Sequence, residues 1–197
     1  MKKIIVLGAT GRIGKLLVPL FENSEFEVTA YVRDVEKAKN MGLKNVSYVE
    51  GDVLDKEKLT LAISDKDIVV AVLSGDLLEY TENIVSALKK SNVSRIIWVT
   101  GMGIHHEVPG EVGKMLDELC RQMPEYIQAA DNIVNSGTPY TLIRAAHLTD
   151  GQNGKYYVHH EGENLHSNSV DRIAVANFIA DLVKNEEGIN SSLGVTN

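Results

Sequence analysis

Apolar residues along this chain fall into two alternating rhythms. Short runs, bounded by glycine, serine or aspartate, alternate with stretches in which apolar residues recur every three or four positions. Ile4, Ile5, Val6 and Leu7 make the first run, apolar at every position, as expected of a strand buried on both faces of a parallel sheet. Ile13, Leu16, Leu17 and Leu20 then recur at helical spacing. Phe26–Val32 predicts a second strand, with Val28, Ala30 and Val32 alternating against Glu27, Thr29 and Tyr31. A short helix over Val35–Asn40, a third strand over Val46–Val49, a helix opened by Asp55 and a fourth strand over Asp67–Leu73 follow. Leu78–Lys90 predicts a helix with Ile84, Val85 and Leu88 inward and Asn83 and Lys89 outward.

Ser94–Thr100 reads as a fifth strand ending in Gly101-Met102-Gly103, and Ile104–Gly110 as a polar loop. Helical pattern resumes over Glu111–Met123, restarts at Pro124 and stops at Gly137. Tyr140–Arg144 predicts a sixth strand and Lys155–Val158 a seventh. Ser169-Val170-Asp171 opens an amphipathic helix to Lys184, and Leu193–Thr196 returns as a last strand. Strands alternating with helices in this way predict an α/β protein with a doubly wound, mainly parallel sheet flanked by helices on both faces. No linker, repeat or low-complexity tract divides residues 1–197, so a single domain is expected.

Composition narrows the function classes. A net charge of −7 argues against a nucleic-acid partner, which needs a basic surface. No apolar run approaches the roughly 20 residues that span a bilayer. Cys120 is the one cysteine, so no internal disulfide forms and a reducing compartment is expected. With the first strand beginning almost at Met1, no leader is read, and the expected location is cytoplasmic.

The chemistry sits between the first strand and the first helix. Gly8, Gly11 and Gly14 stand at the spacing G-x-x-G-x-x-G within Gly8-Ala9-Thr10-Gly11-Arg12-Ile13-Gly14. Free amide N–H groups at a helix start, with the positive end of its dipole, hold a phosphate or pyrophosphate. Gly8 makes the turn, Gly11 admits the anion and Gly14 lets helix and strand pack closely. At the end of the second strand Arg33 precedes Asp34. A basic residue there accommodates the 2′-phosphate of NADP, whereas an acidic one holds the ribose of NAD. Arg33 therefore points to NADP, with Arg12 adding charge. Asp34 reads as a helix cap or, alternatively, as a route to NAD. Asp52 and Val53 follow the third strand, where Asp52 either lines an adenine pocket or simply serves a turn. Leu73, Ser74 and Gly75, and Thr100 and Gly101, also stand at carboxyl ends of strands, where such sheets bind ligands.

Taken in order, GATGRIG, YVRD, GDV, VTGMG, SGTPYTLIR and SVDRIAVANFIADL resemble the atypical short-chain dehydrogenase/reductases. The resemblance is to the NAD(P)H-binding branch of NmrA-like proteins and flavin reductase/biliverdin-IXβ reductase, and it runs over nearly the whole chain. It implies a Rossmann-type fold, a nicotinamide placed near Thr100–Gly103, and a small substrate-side portion over about 145–197. Many members of the wider family use a Tyr-x-x-x-Lys pair, in which lysine lowers the tyrosine pKa for proton transfer. The two equivalent positions here are Gln122 and Tyr126, and no tyrosine in the chain is followed four residues later by lysine.

Lacking that pair, the chain fits hydride transfer to a flavin, quinone or similar conjugated acceptor, which takes its proton from water. The alternative is a non-catalytic NAD(P) redox sensor of the NmrA type. Thr100 is a candidate hydrogen-bond donor in either case. Tyr126 reads as a substrate contact or a packed helix tyrosine. His105 and His106, and likewise His147, are candidate proton donors or solvated loop residues. Cys120 reads as a small buried residue rather than a nucleophile, and no histidine spacing suggests a metal. The expected partner is a small-molecule substrate, and the chain is expected to be a monomer or homodimer.

Overall fold

The computed structural model describes residues 1–197. Its elements are β1 (Lys3–Leu7), α1 (Gly14–Leu17, continued by a 3-10 turn to Phe21), β2 (Glu27–Val32), α2 (Val35–Lys39), β3 (Val46–Glu50), α3 (Lys56–Ile63), β4 (Ile68–Ala71), α4 (Leu77–Leu88) and β5 (Arg95–Gly101). There follow α5 (Gly110–Arg121), α6 (Pro124–Val134), β6 (Tyr140–Ala145), β7 (His147–Thr149), β8 (Tyr157–His159), β9 (Ser169–Asp171), α7 (Arg172–Lys184) and β10 (Ser191–Thr196). The main sheet has eight strands in the order β3-β2-β1-β4-β5-β6-β10-β8. All its pairings are parallel except that of β8 with β10. Strand order reverses beside β1, between β2 and β4, which leaves a crevice at the carboxyl ends of the strands.

The all-apolar run of β1 has a direct cause. Ile4 and Val6 enter one core, with α1 and α7. Ile5 and Leu7 enter the other, with α3, α4 and α6. All four are fully buried, each contributing about 1.5–3 kcal/mol by leaving water. Asp34, Asp55 and Asp76 cap α2, α3 and α4 by accepting the N–H groups of Lys37, Lys58 and Glu79.

Several elements differ from the sequence expectation. Asn83 points inward, not outward: it is 6% exposed and its side-chain amide donates to the carbonyl of Val53 at 3.2 Å. An amide can be buried at that position because a loop carbonyl receives it. Ser169–Asp171 is not the start of the last helix but a strand, paired with β7, which hydrophobic periodicity over three residues does not reveal. α7 is buried over most of its circumference, with nine buried residues, so it carries a broad apolar surface rather than one stripe. The connection Ile104–Gly110 is not wholly polar either, since Ile104, Glu107 and Val108 are buried.

Arg95 shows how the far end is anchored. It is 3% exposed, and its guanidinium donates to Thr141 Oγ1 and to the carbonyls of Leu182 and Glu187, beside the end of α7. A cation at a helix carboxyl end also meets the negative end of the dipole. No helix is long and apolar enough to cross a membrane.

Candidate functional site

A cavity of about 690 Å³ opens at the carboxyl ends of the central strands, between the glycine turn and α5. Of its 26 lining residues 18 are hydrophobic, so it favours a largely apolar ligand with a few oriented polar contacts.

Its floor begins at the turn after β1. Gly8 has φ +83°, and a Cβ there would stand 2.5 Å from the carbonyl oxygen of Val72 on the neighbouring strand's extension. A Cβ on Gly14 would stand 2.7 Å from Ala9 Cα and fall on the Gly8 carbonyl oxygen. Both positions exclude any side chain, which brings α1 hard against β1. Gly11 N–H closes the turn on the Gly8 carbonyl at 2.9 Å, whereas the N–H groups of Thr10, Arg12 and Ile13 donate to no protein acceptor.

Of the residues singled out from the sequence, Gly11, Arg12, Ile13, Leu73, Ser74, Thr100, Gly101 and Tyr126 line this cavity together. Gly8, Ala9 and Gly14 lie outside its lining, with Ala9 and Gly14 buried, and Thr10 is exposed. Arg33 is exposed beyond the end of β2, while Asp34 is taken up by its cap. Asp52 Oδ1 accepts the Leu54 N–H at 3.0 Å, and its carbonyl accepts the Tyr31 hydroxyl at 3.0 Å, so both are engaged in a turn. Val53 is buried, and Gly75 is exposed with φ +123°. His105 does not line the cavity: its Nε2 stands 3.4 Å from Asp131 Oδ1. His106 Nδ1 stands 2.9 Å from Asp117 Oδ1, whereas His147 does line the cavity.

Among the cavity-lining residues, Thr100 has a buried polar atom with unmet demand. It is 6% exposed and its hydroxyl has no partner within the protein, although it borders the cavity. A buried hydroxyl without a partner is costly and marks a place where a ligand atom completes the bonding.

Sequence reasoning missed the wall and the clamp. Val112, Met115, Leu116 and Leu119 of α5 face the cavity, and Met115 and Leu119 remain 74% and 50% exposed. Their spacing of three and four residues was visible, but not that α5 stands over a cavity rather than on a core. Glu107 was hidden in a polar loop. The signal for it was Arg144, a charged residue inside the buried strand Tyr140–Ala145, which needs buried acceptors and here finds a carboxylate. Cys120 lines the cavity; burial, with the charges of Glu107 and Asp117, pushes its thiol up.

The sequence pattern of the NAD(P)H-binding family matches residues 8–186. The chain belongs to that family. Over 124 residues it is 31% identical to an NAD(P)H azoreductase of Xenophilus azovorans, covering 62% of this chain and 43% of the relative. It spans about half the length of most other curated relatives it matches. A Rossmann-fold NAD(P)-binding family protein from Shigella flexneri superposes with TM-score 0.80 at 29% identity, over 100% of this chain and 93% of that one. A short-chain dehydrogenase/reductase from Veillonella parvula, solved in complex with NADP, superposes with TM-score 0.86 at 24% identity, over 100% and 94%. As an NAD(P)H-binding protein, the chain places its glycine turn at the same cavity as an apolar wall.

Proposed function

We propose that this chain is an NADP(H)-dependent oxidoreductase that passes hydride to a small conjugated acceptor, such as a flavin or quinone, without a Tyr–Lys pair. One observation carries the reading: a single cavity joins the glycine turn to the apolar face of α5, with the unpartnered Thr100 hydroxyl between them. The azoreductase relative, by its name, acts on a conjugated acceptor, which supports the same class.

The residues at the turn fit a dinucleotide. The unpaired N–H groups of Thr10, Arg12 and Ile13 suit a diphosphate, and the bare backbone of Gly11 leaves it room. Arg33, exposed and unhindered by Asp34, is assigned to the 2′-phosphate. When bound, the dinucleotide supplies a hydride. The protein's part is then positional. Leu73 and Ser74 border the cofactor side, and Thr100 Oγ1 donates a hydrogen bond to a carbonyl of either ligand. The α5 wall excludes water from one side of the acceptor, and the Tyr126 hydroxyl orients its far end. Ala145–Leu148, Leu165, Asn168 and Arg172 supply the substrate side from the last quarter of the chain. A conjugated acceptor spreads its charge and takes its proton from water, so no protein acid of matched pKa is required.

The deciding experiment mixes purified protein, NADPH and a panel of flavin, quinone, azo and aldehyde acceptors and follows the reduced-nicotinamide absorbance. Turnover with conjugated acceptors is expected. Tight NADP(H) binding with no turnover on any of them would instead favour a redox sensor.

A further inference from the structure

Arg12 and Arg172 come from opposite ends of the chain and meet at one carboxylate. Arg12 stands in the glycine turn and Arg172 opens α7. Asp150, just after β7, accepts a hydrogen bond from each. Its Oδ2 takes Arg12 and its Oδ1 takes Arg172 Nη1 at 2.9 Å. Both arginines line the cavity, whereas Asp150 does not.

The three side chains are unequally placed. Arg172 is 8% exposed, and the contact with Asp150 is the one hydrogen bond its guanidinium makes. A guanidinium carries five N–H donors, and this one, at the cavity lining, makes no other hydrogen bond within the protein. Asp150 is 65% exposed along its side chain and lies outside any helix or strand. The carboxylate is therefore already open to water, while Arg172 has Asp150 as its one partner. Desolvation pushes the Asp150 carboxyl up, but Arg12 and Arg172 together outweigh it and hold the group below the usual carboxylate range.

We propose that Arg12 and Arg172 form an oxyanion-binding site in which Asp150 is an internal stand-in, displaced when the phosphate, carboxylate or sulfonate of a ligand arrives. The proposal rests on reading this cavity as the dinucleotide and acceptor site. No bond is made or broken. The ligand's oxyanion takes over the guanidinium hydrogen bonds, and Asp150 turns to solvent. Asp150 thereby weakens every anionic ligand of this site by competition and leaves uncharged ones untouched.

The test is calorimetric titration of the full chain, wild type against Asp150→Asn, Arg12→Ala and Arg172→Lys. One arm uses NADPH. The other compares anthraquinone-2-sulfonate with its uncharged hydroxymethyl counterpart. Asp150→Asn keeps the shape at an exposed position and should tighten the anionic ligand by about fivefold, the size of an exposed ion pair. Arg12→Ala and Arg172→Lys should each weaken the same ligand. If NADPH alone responds, the oxyanion belongs to the cofactor. If the sulfonate alone responds, with its uncharged counterpart indifferent, it belongs to the acceptor. Unchanged affinity of both anions for Asp150→Asn overturns the proposal and leaves the cofactor reading standing. NADPH failing to bind the wild type overturns the cofactor reading, and the sulfonate arm still decides the site, for or against.

Discussion

Glu107 Oε1 stands 2.7 Å from Arg144 Nη1, and the two side chains are 1% and 2% exposed. The same carboxylate accepts the N–H groups of Gly103 at 2.7 Å and His105 at 2.9 Å. Arg144 Nε donates to Ser192 Oγ at 2.9 Å. The segment that carries Met102 and Ile104 into the cavity is thus tied to the middle of the sheet. Removing the carboxylate with Glu107→Ala strands Arg144 in the core. The expected loss is about 3–5 kcal/mol of stability, read by urea denaturation. A loss near zero would mean that the carbonyl and hydroxyl of Ser192 suffice for Arg144.

Acid should weaken this pair only below the ordinary glutamate range. Desolvation pushes the Glu107 carboxyl up, but the Gly103 amide, the hydrogen bond and charge of Arg144 and the His105 amide outweigh it and hold the group below the usual glutamate range. A depressed folded-state pKa contributes stability that is complete above the unfolded value and is lost as pH falls through the folded one. Denaturation midpoints of wild type and Glu107→Gln should therefore differ most near neutrality and converge on acidification below the ordinary glutamate pKa. Parallel curves would remove Glu107 from the acid response.

Thr100→Val separates a ligand-binding hydroxyl from a structural one. Because the hydroxyl has no protein partner, its removal should leave Tm unchanged or raise it, while kcat/KM with a quinone falls by about tenfold, the worth of one hydrogen bond. A lowered Tm with unchanged kinetics would contradict that role.

Arg33→Ala is expected to weaken NADPH by roughly tenfold or more, the worth of a charge-assisted hydrogen bond, and NADH far less. Equal losses for the two dinucleotides, measured by calorimetry, would take the 2′-phosphate away from Arg33.

Cys120 should react slowly. Burial keeps its thiol protonated at neutral pH, with Glu107 and Asp117 adding to the effect, and the thiolate is the reactive form. Iodoacetamide labelling, followed by mass spectrometry, should run roughly tenfold or more below that of a free thiol. A bound acceptor should slow it further, since Cys120 borders the cavity.

The sheet was readable because its strands are buried on both faces, so β1, β4 and β5 leave unbroken apolar runs. Glycine positions were readable because backbone approach admits no Cβ at Gly8 or Gly14. β7 and β9, three residues each, are too short for a period to register. Asn83 misled because an amide looks the same on either face of a helix until its acceptor, the Val53 carbonyl, is known. The half of the site near the glycine turn follows from local rules. The other half depends on which distant segments α5 and Arg172 meet, and local pattern carries no record of that.

The two ends of the cavity have separate sequence origins, Gly11–Ile13 on one side and the helix Gly110–Arg121 on the other. Met115, with three rotatable side-chain bonds and most of its surface open, can remould around rings of different outline. Swapping the surface residues of that one helix between relatives should therefore retune which oxidant is consumed while coenzyme choice is inherited intact, making this fold easy to diversify by changes confined to a single segment.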